Sequence, residues 1–290
     1  MKIKSRDRLY VFWSFSIIVC LILSLFSLIF VSCSPAGKND PTPTVSTTAN
    51  NDETNPPASP TATPIDGVAP PVDTHTPEPT VAPTPPPPTK LEVTADMGEE
   101  YLSGIIFLGD STTFGLSHYG YATESQIWTP LIRTLTLGRH NIDKILYPDT
   151  DEEIFLKDAA ALKKPELMVI TLGVNGISFL TEEGFKSEYN NLIATIKEAS
   201  PDTKIIINTI YPVATSYKHL ASINNEKIDA ANTWLLSIAE ENGVRFMDSN
   251  SVLRNENGVL PETAHNGDGL HLNSDSFAKV VEFIRTHGYR

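Results

Sequence analysis

The sequence predicts an α/β domain with a mainly parallel sheet, confined to the last two thirds of the chain. The prolines give the first observation, because 16 of 22 lie between Pro35 and Pro88. A segment so rich in proline cannot pack as an ordinary domain, which leaves about 200 residues to build one core. In those residues, short apolar runs alternate with helical patterns. This alternation is typical of strands joined by helical crossovers.

Four short apolar runs are the predicted strands. Each is apolar at consecutive positions, as expected for a parallel strand that is covered by helices on both faces. Each ends close to a Gly, Pro or Asp residue that favours a turn. The runs are Ile105–Leu108, Leu167–Leu172, Lys204–Ile210 and Val244–Met247, and Arg133–Leu137 is a candidate for one more.

Four segments carry apolar residues at helical spacing. The second of them ends at Ser200-Pro201, where proline stops a helix. The four segments are Glu152–Lys164, Glu183–Ala199, Ile223–Glu241 and Ser274–Thr286. Strands that alternate with such helices predict a sandwich, with the sheet between helical layers.

The first 33 residues are predicted to anchor or export the chain. Four basic residues precede an uncharged, mostly apolar run of 22 residues, Tyr10–Val31. At about 1.5 Å per residue this run can cross a hydrocarbon layer of about 30 Å, with the basic flank on the cytoplasmic side. The alternative is a lipoprotein signal, because residues 30–33 (FVSC) resemble a lipobox with Cys33 as the lipidated residue. Both alternatives tether the protein to the extracytoplasmic face of the cell membrane.

Residues 34–90 are predicted to be a disordered Pro/Thr-rich linker, and residues 91–290 the folded domain. The linker has few large apolar side chains, so burial cannot offset the entropy of ordering it. Its runs of proline favour extended polyproline II structure. A stiff linker beyond a membrane anchor would hold the folded domain away from the bilayer.

Charge and cysteine content exclude several function classes. The chain has 22 basic and 35 acidic residues, a formal net charge of −13, and no basic stripe. Such a surface repels phosphate backbones, so nucleic acid is not an expected partner. The only cysteines are Cys20 and Cys33, so the folded domain has no disulfide, no cysteine-ligated zinc and no cysteine nucleophile.

The first polar cluster, residues 109–115 (GDSTTFG), directly follows the first predicted strand. A serine nucleophile needs a neighbouring base and exposure at a strand end. Ser111 would have that exposure if Gly109 turns the chain and a helix starts near Thr112. Its N–H would then point toward a developing oxyanion. The alternative is that Asp110 and Ser111 only cap the helix.

The second cluster, residues 173–176 (GVNG), follows the second predicted strand. An asparagine side chain aimed into a cleft can donate a hydrogen bond to an oxyanion, which suits Asn175. The alternative is a β-hairpin, because Asn-Gly between apolar stretches is a strong hairpin signal. The helical pattern that begins near Thr181 favours a strand, loop and helix instead.

The third cluster, residues 268–271 (DGLH), directly precedes the last predicted helix. His271 is suited to act as a general base near neutral pH. Asp268, three residues earlier, can fold back onto its Nδ1–H and fix the tautomer. The alternative is a plain Asp-Gly turn. The other histidines are interpreted as lacking such a carboxylate spacing, except that His265 lies near Asp268. His265 is interpreted as a loop residue, with a role as base the minor alternative.

Together the three clusters resemble the nucleophile, oxyanion and terminal blocks of the SGNH hydrolases, also called the GDSL esterase and lipase family. The resemblance covers about Ile105–Thr286, with the blocks in the family's order. Thr112 replaces the family's usual Leu, and Gly176 replaces the Asp that usually follows the oxyanion Asn. The family's remaining block supplies a glycine whose N–H joins the oxyanion hole. Gly138 is the best-placed candidate for it.

The resemblance implies a three-layer α/β/α sandwich with a mainly parallel five-stranded sheet, of the SGNH or flavodoxin-like type. It implies acyl transfer without metal or organic cofactor, through a Ser111, His271 and Asp268 triad. The oxyanion hole would be formed by Ser111, Asn175 and Gly138. The expected partner is an acylated carbohydrate or other small ester; the sequence gives no indication of oligomeric state.

The resemblance and the predicted anchor together suggest an esterase for O-acetyl or other short-chain esters on cell-envelope or environmental glycans. Two alternatives come from different function classes. One is an acyltransferase that uses the same triad, with a sugar hydroxyl in place of water. The other is a non-catalytic module that keeps the fold and binds the envelope.

Overall fold

A five-stranded parallel sheet lies at the centre of the residues described by the computed structural model, which are 88–148, 150 and 152–290. Its strands are β1 (Ile105–Gly109), β2 (Ile127–Trp128), β5 (Leu167–Thr171), β6 (Lys204–Asn208) and β7 (Arg245–Met247). Their order across the sheet is β2-β1-β5-β6-β7, and every neighbouring pair is parallel. A separate antiparallel pair joins β3 (Ile145–Leu146) to β4 (Glu153–Ile154). The predicted mainly parallel, five-stranded sheet is confirmed.

Helices cover both faces of this sheet. They are α1 (Gly98–Ser103), α2 (Ser111–His118), α3 (Leu156–Lys163), α4 (Glu182–Ala199), α5 (Asn225–Asn242) and α6 (Ser274–Thr286). Alternate residues of β1 enter two different cores: Ile106 and Leu108 pack in the core formed with α3, α4 and α5. Ile105 and Phe107 pack in the core formed with α1, α2 and α6. Burial on both faces explains why β1 and β5 are apolar at consecutive positions.

Two predicted elements differ from the structure. Arg133–Leu137 is not a strand, because Arg133 turns the chain with a φ of 61°. Leu135 and Leu137 are nevertheless fully buried, so their alternation reflects contact with the core and not pairing in a sheet. The fifth strand is β2, only two residues long, and its Trp128 pairs with Leu108.

The helix predicted over Glu152–Lys164 begins later than expected. Its first residues instead form β4, which pairs with β3, and α3 starts at Leu156. Leu156, Ala159 and Ala160 are the buried residues of α3, at helical spacing.

The described part of the chain starts beside the outer strand β7. The Phe246 N–H donates to the Thr89 carbonyl at 2.9 Å, and the Leu91 N–H donates to the Phe246 carbonyl at 2.8 Å. The anchor or lipoprotein signal predicted for residues 1–33, and all but the end of the predicted linker, lie outside the described residues. No helix of the described part is both long enough and apolar enough to cross a bilayer.

The carboxyl ends of the strands meet at one edge of the sheet, where a buried polar layer replaces the apolar core. Asn208 Nδ2 donates to the Thr171 hydroxyl at 3.0 Å, and the Ser249 hydroxyl donates to Asn208 Oδ1 at 2.6 Å. The Thr113 hydroxyl donates to the Thr171 carbonyl at 3.0 Å. These bonds fix the ends of β5 and β6, and the start of α2, beneath the polar clusters.

Gly115→Ala tests the packing of α2 against α6. A Cβ at residue 115 would lie 2.3 Å from two ring carbons of Phe277, whose side chain is fully buried. Although alanine normally stabilises a helix interior by roughly 1 kcal/mol over glycine, we expect overpacking to lower the free energy of unfolding by about 1–3 kcal/mol. Urea denaturation measures the change.

Gly184→Ala in α4 is the matched control. Its Cβ would meet Thr181 Oγ1 at 3.4 Å and Leu180 at 3.7 Å, which are ordinary contacts. We expect the free energy of unfolding to stay constant or to rise by up to about 1 kcal/mol. Equal effects of the two substitutions would contradict the packing argument.

Candidate active site

A tight turn between β1 and α2 presents Ser111 at the carboxyl edge of the sheet. Gly109 ends β1, and a Cβ there would lie 2.1 Å from Thr113 Oγ1 and 2.2 Å from the Thr171 carbonyl oxygen. Only glycine therefore fits at this position. Asp110 caps the helix, because its carboxylate accepts from the Thr112 N–H at 2.9 Å and from the Thr112 hydroxyl at 2.7 Å. Since Asp110 is the cap, the hydroxyl of Ser111 is left for another partner.

The Asp110 carboxylate also ties this turn to the loop after β5. It is buried, and burial raises its pKa above the ordinary value. The hydrogen bonds from Thr112 and from the Gly173 N–H, together with the charge of His271, act in the opposite direction. One buried side chain thus joins the turn that carries Ser111 to the loop that carries Asn175.

The predicted turn of residues 268–271 brings an imidazole to Ser111. His271 Nε2 lies 2.8 Å from Ser111 Oγ, and His271 Nδ1 lies 2.6 Å from Asp268 Oδ2. Asp268 Oδ1 accepts from the N–H groups of Leu270 and His271 at 2.8 and 2.9 Å. The structure therefore brings the three predicted triad residues together, although they span 160 positions of the chain.

The electrostatics of this turn favour one tautomer of His271. Partial burial acts to raise the pKa of Asp268, but the hydrogen bond and charge of His271, with the two backbone N–H groups, lower it to about 2. An ionised Asp268 accepts the Nδ1–H, which leaves Nε2 as the acceptor for the Ser111 hydroxyl. The His271 and Asp268 side chains remain 34% and 44% exposed, so the site is shallow.

Asn175 lies in a loop between strand and helix, as the sequence favoured, and not in a hairpin. A 3-10 turn, Gly176–Ser178, follows it and leads to α4. The Asn175 carbonyl accepts from the Ser178 hydroxyl at 2.7 Å. Its half-buried side-chain amide makes no hydrogen bond to any residue that the structure describes. That amide is available to a ligand.

Gly138 lies in a turn near the Asn175 loop. Its φ is +88°, and the side where a Cβ would project faces Glu188 of α4. The preceding Leu137 packs against Gly176. Gly138 has no hydrogen bond to Ser111 or Asn175 within the described residues, so its place in an oxyanion hole stays a prediction.

His265 is occupied within its own loop. Its Nδ1 accepts from the N–H groups of Gly267 and Gly269 at 2.9 and 3.1 Å, and its Nε2 lies 3.1 Å from Glu262 Oε2. This geometry fits the predicted loop role and leaves no ring nitrogen for Ser111. The carboxylate that the sequence interpretation missed is Glu262. Its spacing to His265 repeats that of Asp268 to His271, so the sequence did contain the signal.

A metal site was not expected from the sequence. Within residues 88–148, 150 and 152–290, no group of three or more His, Cys, Asp or Glu side chains is placed to hold a metal ion.

The model of the GDSL-like lipase/acylhydrolase family matches residues 107–278, which is more than half of the chain. The chain therefore belongs to this family, and it is an enzyme of the serine ester hydrolase class. The match includes all three polar clusters at the carboxyl edge of the sheet. Comparison with curated proteins gives no significant match.

Solved structures with a similar fold include a protein assigned as an acylhydrolase from Bacteroides fragilis, with 20% identity and a TM-score of 0.45 over 62% of this chain and 84% of that one. A GDSL-like lipase from Bacteroides thetaiotaomicron has 17% identity and a TM-score of 0.43 over 66% and 90% of the two chains. A family 3 carbohydrate esterase from Talaromyces cellulolyticus has 14% identity and a TM-score of 0.42 over 62% and 93%.

Asp268→Asn should change stability in a pH-dependent way. The pKa of Asp268 in the folded state is about 2, below the ordinary value of about 3.9. The ionised carboxylate therefore stabilises the fold above about pH 4, and this contribution is lost as the pH falls to about 2. We expect the wild-type protein to exceed the variant in free energy of unfolding at neutral pH, with the difference shrinking across that window. Denaturation at a series of pH values measures it, and a constant difference would contradict the assignment.

Proposed function

We propose that this enzyme is a membrane-tethered, extracytoplasmic esterase that removes short-chain acyl groups, chiefly O-acetyl, from glycans, with Ser111 as nucleophile. One observation carries the proposal: the continuous contacts from Asp268 through His271 to Ser111, at 2.6 and 2.8 Å. A hydroxyl, an imidazole and a carboxylate in this order form the arrangement that activates a serine for acyl transfer.

The first step acylates Ser111. His271 Nε2 takes the hydroxyl proton as Oγ attacks the ester carbonyl, and Asp268 stabilises the imidazolium that forms. The tetrahedral intermediate then collapses, the bond to the alcohol breaks, and His271 protonates the leaving alcohol. In the second step a water attacks the acyl-enzyme and gives its proton to His271. The bond to Ser111 Oγ then breaks, His271 returns the proton to Oγ, and the acid is released.

The oxyanion of each intermediate needs donors that are already in place. The Ser111 N–H is at the first position of α2, where backbone N–H groups have no partner within the helix. The side-chain amide of Asn175 is the second donor, and it makes no hydrogen bond within the described residues. The Gly138 N–H is the third proposed donor.

A glycan as substrate fits the exposure of the site and the predicted topology. The His271 and Asp268 side chains are partly exposed, so the site is accessible to a bulky glycan substrate that could not enter a deep tunnel. The predicted anchor in residues 1–33 and the Pro/Thr-rich linker would place this site outside the membrane, at a distance from it.

An acyltransferase is the second candidate, and the same exposure favours it. A sugar hydroxyl that reaches His271 could be deprotonated in place of water and accept the acyl group from Ser111. Product analysis with and without an acceptor glycan separates transfer from hydrolysis. Membership of an acylhydrolase family argues against the non-catalytic binding module.

Ser111→Ala should abolish turnover of p-nitrophenyl acetate while the domain stays folded. Removal of a triad serine lowers kcat by about 10⁴- to 10⁶-fold. Ser117→Ala on the same helix is the control, because within the described residues its hydroxyl donates to the Phe114 carbonyl and makes no other hydrogen bond. Unchanged turnover by Ser111→Ala would eliminate Ser111 as the nucleophile. The same pair of variants, assayed on acetylated glycans, tests the proposed substrate class by acetate release.

Asn175→Ala should lower kcat by roughly 10²- to 10³-fold, because an oxyanion donor acts mainly in the transition state. Steady-state kinetics with p-nitrophenyl acetate measure the effect, with little change expected in KM. A kcat equal to that of the wild-type enzyme would remove Asn175 from the oxyanion hole.

A further inference from the structure

A second carboxylate–histidine pair, Glu262 and His265, lies beside the proposed triad and has no part in the reaction described above. The His265 side chain is only 6% exposed, although its loop is at the surface. A buried polar ring at this position needs hydrogen-bond partners for both nitrogens, and the structure provides them from a single loop.

The ring of His265 is oriented by what its two nitrogens contact. Nδ1 lies 2.9 Å from the Gly267 N and 3.1 Å from the Gly269 N, and both of these groups donate. A nitrogen that accepts two N–H groups cannot itself carry a proton, so the neutral ring carries its proton on Nε2. The Nε2–H then donates to Glu262 Oε2 at 3.1 Å.

Glu262 is in turn fixed by the loop that follows β6. Its carboxylate accepts from the hydroxyls of Thr215 and Ser216 at 2.8 and 2.5 Å, and from the Ser216 N–H at 3.2 Å. The Ser216 hydroxyl, then His265 and Thr215, lower the pKa of Glu262 to about 2. An ionised Glu262 holds the proton of His265 on Nε2, which keeps Nδ1 free to accept.

The two N–H groups that His265 accepts belong to the residues on either side of Asp268. Gly267 and Gly269 have φ values of +112° and +84°, in the left-handed region that glycine favours. A turn built from two glycines has many alternative conformations in the absence of other contacts. The hydrogen bonds to His265 therefore restrict the conformation of the segment that determines where the Asp268 carboxylate points.

A third contact holds the same segment from the side of β6. The Gly269 carbonyl accepts from the Ala214 N–H at 2.8 Å, and a Cβ on Gly269 would lie 2.7 Å from the Tyr217 Cα. The turn thus rests on the backbone of residues 214–217, the segment that also binds Glu262. Movement of His265 would leave the N–H groups of Gly267 and Gly269 without their acceptor.

We propose that His265 is a positioning residue, which sets the Asp268–His271 turn against Ser111 by accepting the N–H groups of Gly267 and Gly269 while Glu262 orients its ring. This inference rests on the proposed triad, because the turn matters only if Asp268 and His271 act on Ser111. His265 itself touches none of the proposed reacting atoms. Its effect should appear in kcat far more than in KM, since displacement of catalytic groups by about 1 Å costs on the order of 10²-fold.

Three variants test the proposal in the full-length enzyme. His265→Ala removes both the acceptor Nδ1 and the contact with Glu262. We expect kcat for p-nitrophenyl acetate to fall by about 10²-fold with KM nearly unchanged. His265→Asn keeps an acceptor near the position of Nδ1, and we expect it to recover most of that loss. Glu262→Gln keeps the size of the side chain and loses its charge, and we expect an intermediate kcat. His287→Ala, whose ring stacks on Phe283 at the far end of α6, is the control.

A spectroscopic measurement separates positioning from a loss of stability. The proton between His271 Nδ1 and Asp268 should give a downfield NMR resonance, because that hydrogen bond is short at 2.6 Å. We expect this resonance to shift or broaden in His265→Ala, and to be restored in His265→Asn. If His265→Ala does not fold, the kcat and resonance of His265→Asn and Glu262→Gln decide the question.

A wild-type kcat together with an unshifted resonance in His265→Ala would overturn the proposal. A His265→Asn variant as impaired as His265→Ala would also overturn it, since the acceptor would then have no role. Failure of the proposed function gives a different result. Ser111→Ala would then retain turnover, while the resonance still reports whether His265 holds the turn.

Discussion

The burial of one carboxylate, that of Asp110, is the constraint on which the arrangement of the site depends. A buried carboxyl group is costly unless it is hydrogen-bonded, and Asp110 finds its donors in Thr112 and in the Gly173 N–H. The hydrogen bonds from Thr112 fix the start of α2, with Ser111 at its N-terminus. The hydrogen bond from Gly173 joins the loop after β5 to the same carboxyl group. Because an unpaired buried carboxyl group would be unfavourable, Asp110 keeps the turn after β1 and the loop after β5 next to each other. The polar layer of Thr171, Asn208 and Ser249 continues this network beneath the site.

A carboxylate and a histidine form two pairs with different chemistry within ten positions. Asp268 and His271 are partly exposed, with Nδ1 toward the carboxylate and Nε2 toward Ser111. In the other pair the ring is inverted and nearly buried, so that Nδ1 accepts from the backbone and Nε2 faces Glu262. The spacing from carboxylate to histidine is identical. The length of the acidic side chain and the surroundings therefore distinguish a ring that can exchange a proton with a hydroxyl from one that organises a loop. A motif of the form carboxylate-x-x-His does not by itself identify a catalytic pair.

Much of this fold and site could be predicted from the sequence. The predictions are correct where a local pattern of residues can arise in only one way. Burial on both faces makes β1, β5, β6 and β7 apolar at consecutive positions. Asp268 and His271 are only three residues apart, so their contact depends mainly on the local conformation of the backbone. Other features depend on contacts that a pattern does not record. β2 has only two residues, too few to show an alternating pattern of apolar side chains. Leu135 and Leu137 are apolar at alternate positions because both pack in the core, and not because they pair with a neighbouring strand. The link from Asp110 to Gly173 spans two strands, so no local spacing reveals it. The spacing from Glu262 to His265, by contrast, is visible in the sequence.

The pairing of residues 89–91 with Phe246 has a consequence for where the folded unit can be cut. β7 is the last strand of the sheet, and an uncovered edge strand offers unpaired N–H and C=O groups to other chains. Thr89 accepts from Phe246 and Leu91 donates to it, so the end of the proline-rich segment shields part of that edge. A fragment that begins at Leu91 would lose the Thr89 carbonyl and leave the Phe246 N–H without its acceptor. Recombinant fragments that retain residues 88–90 should accordingly be less prone to self-association through this edge than fragments that begin at Leu91.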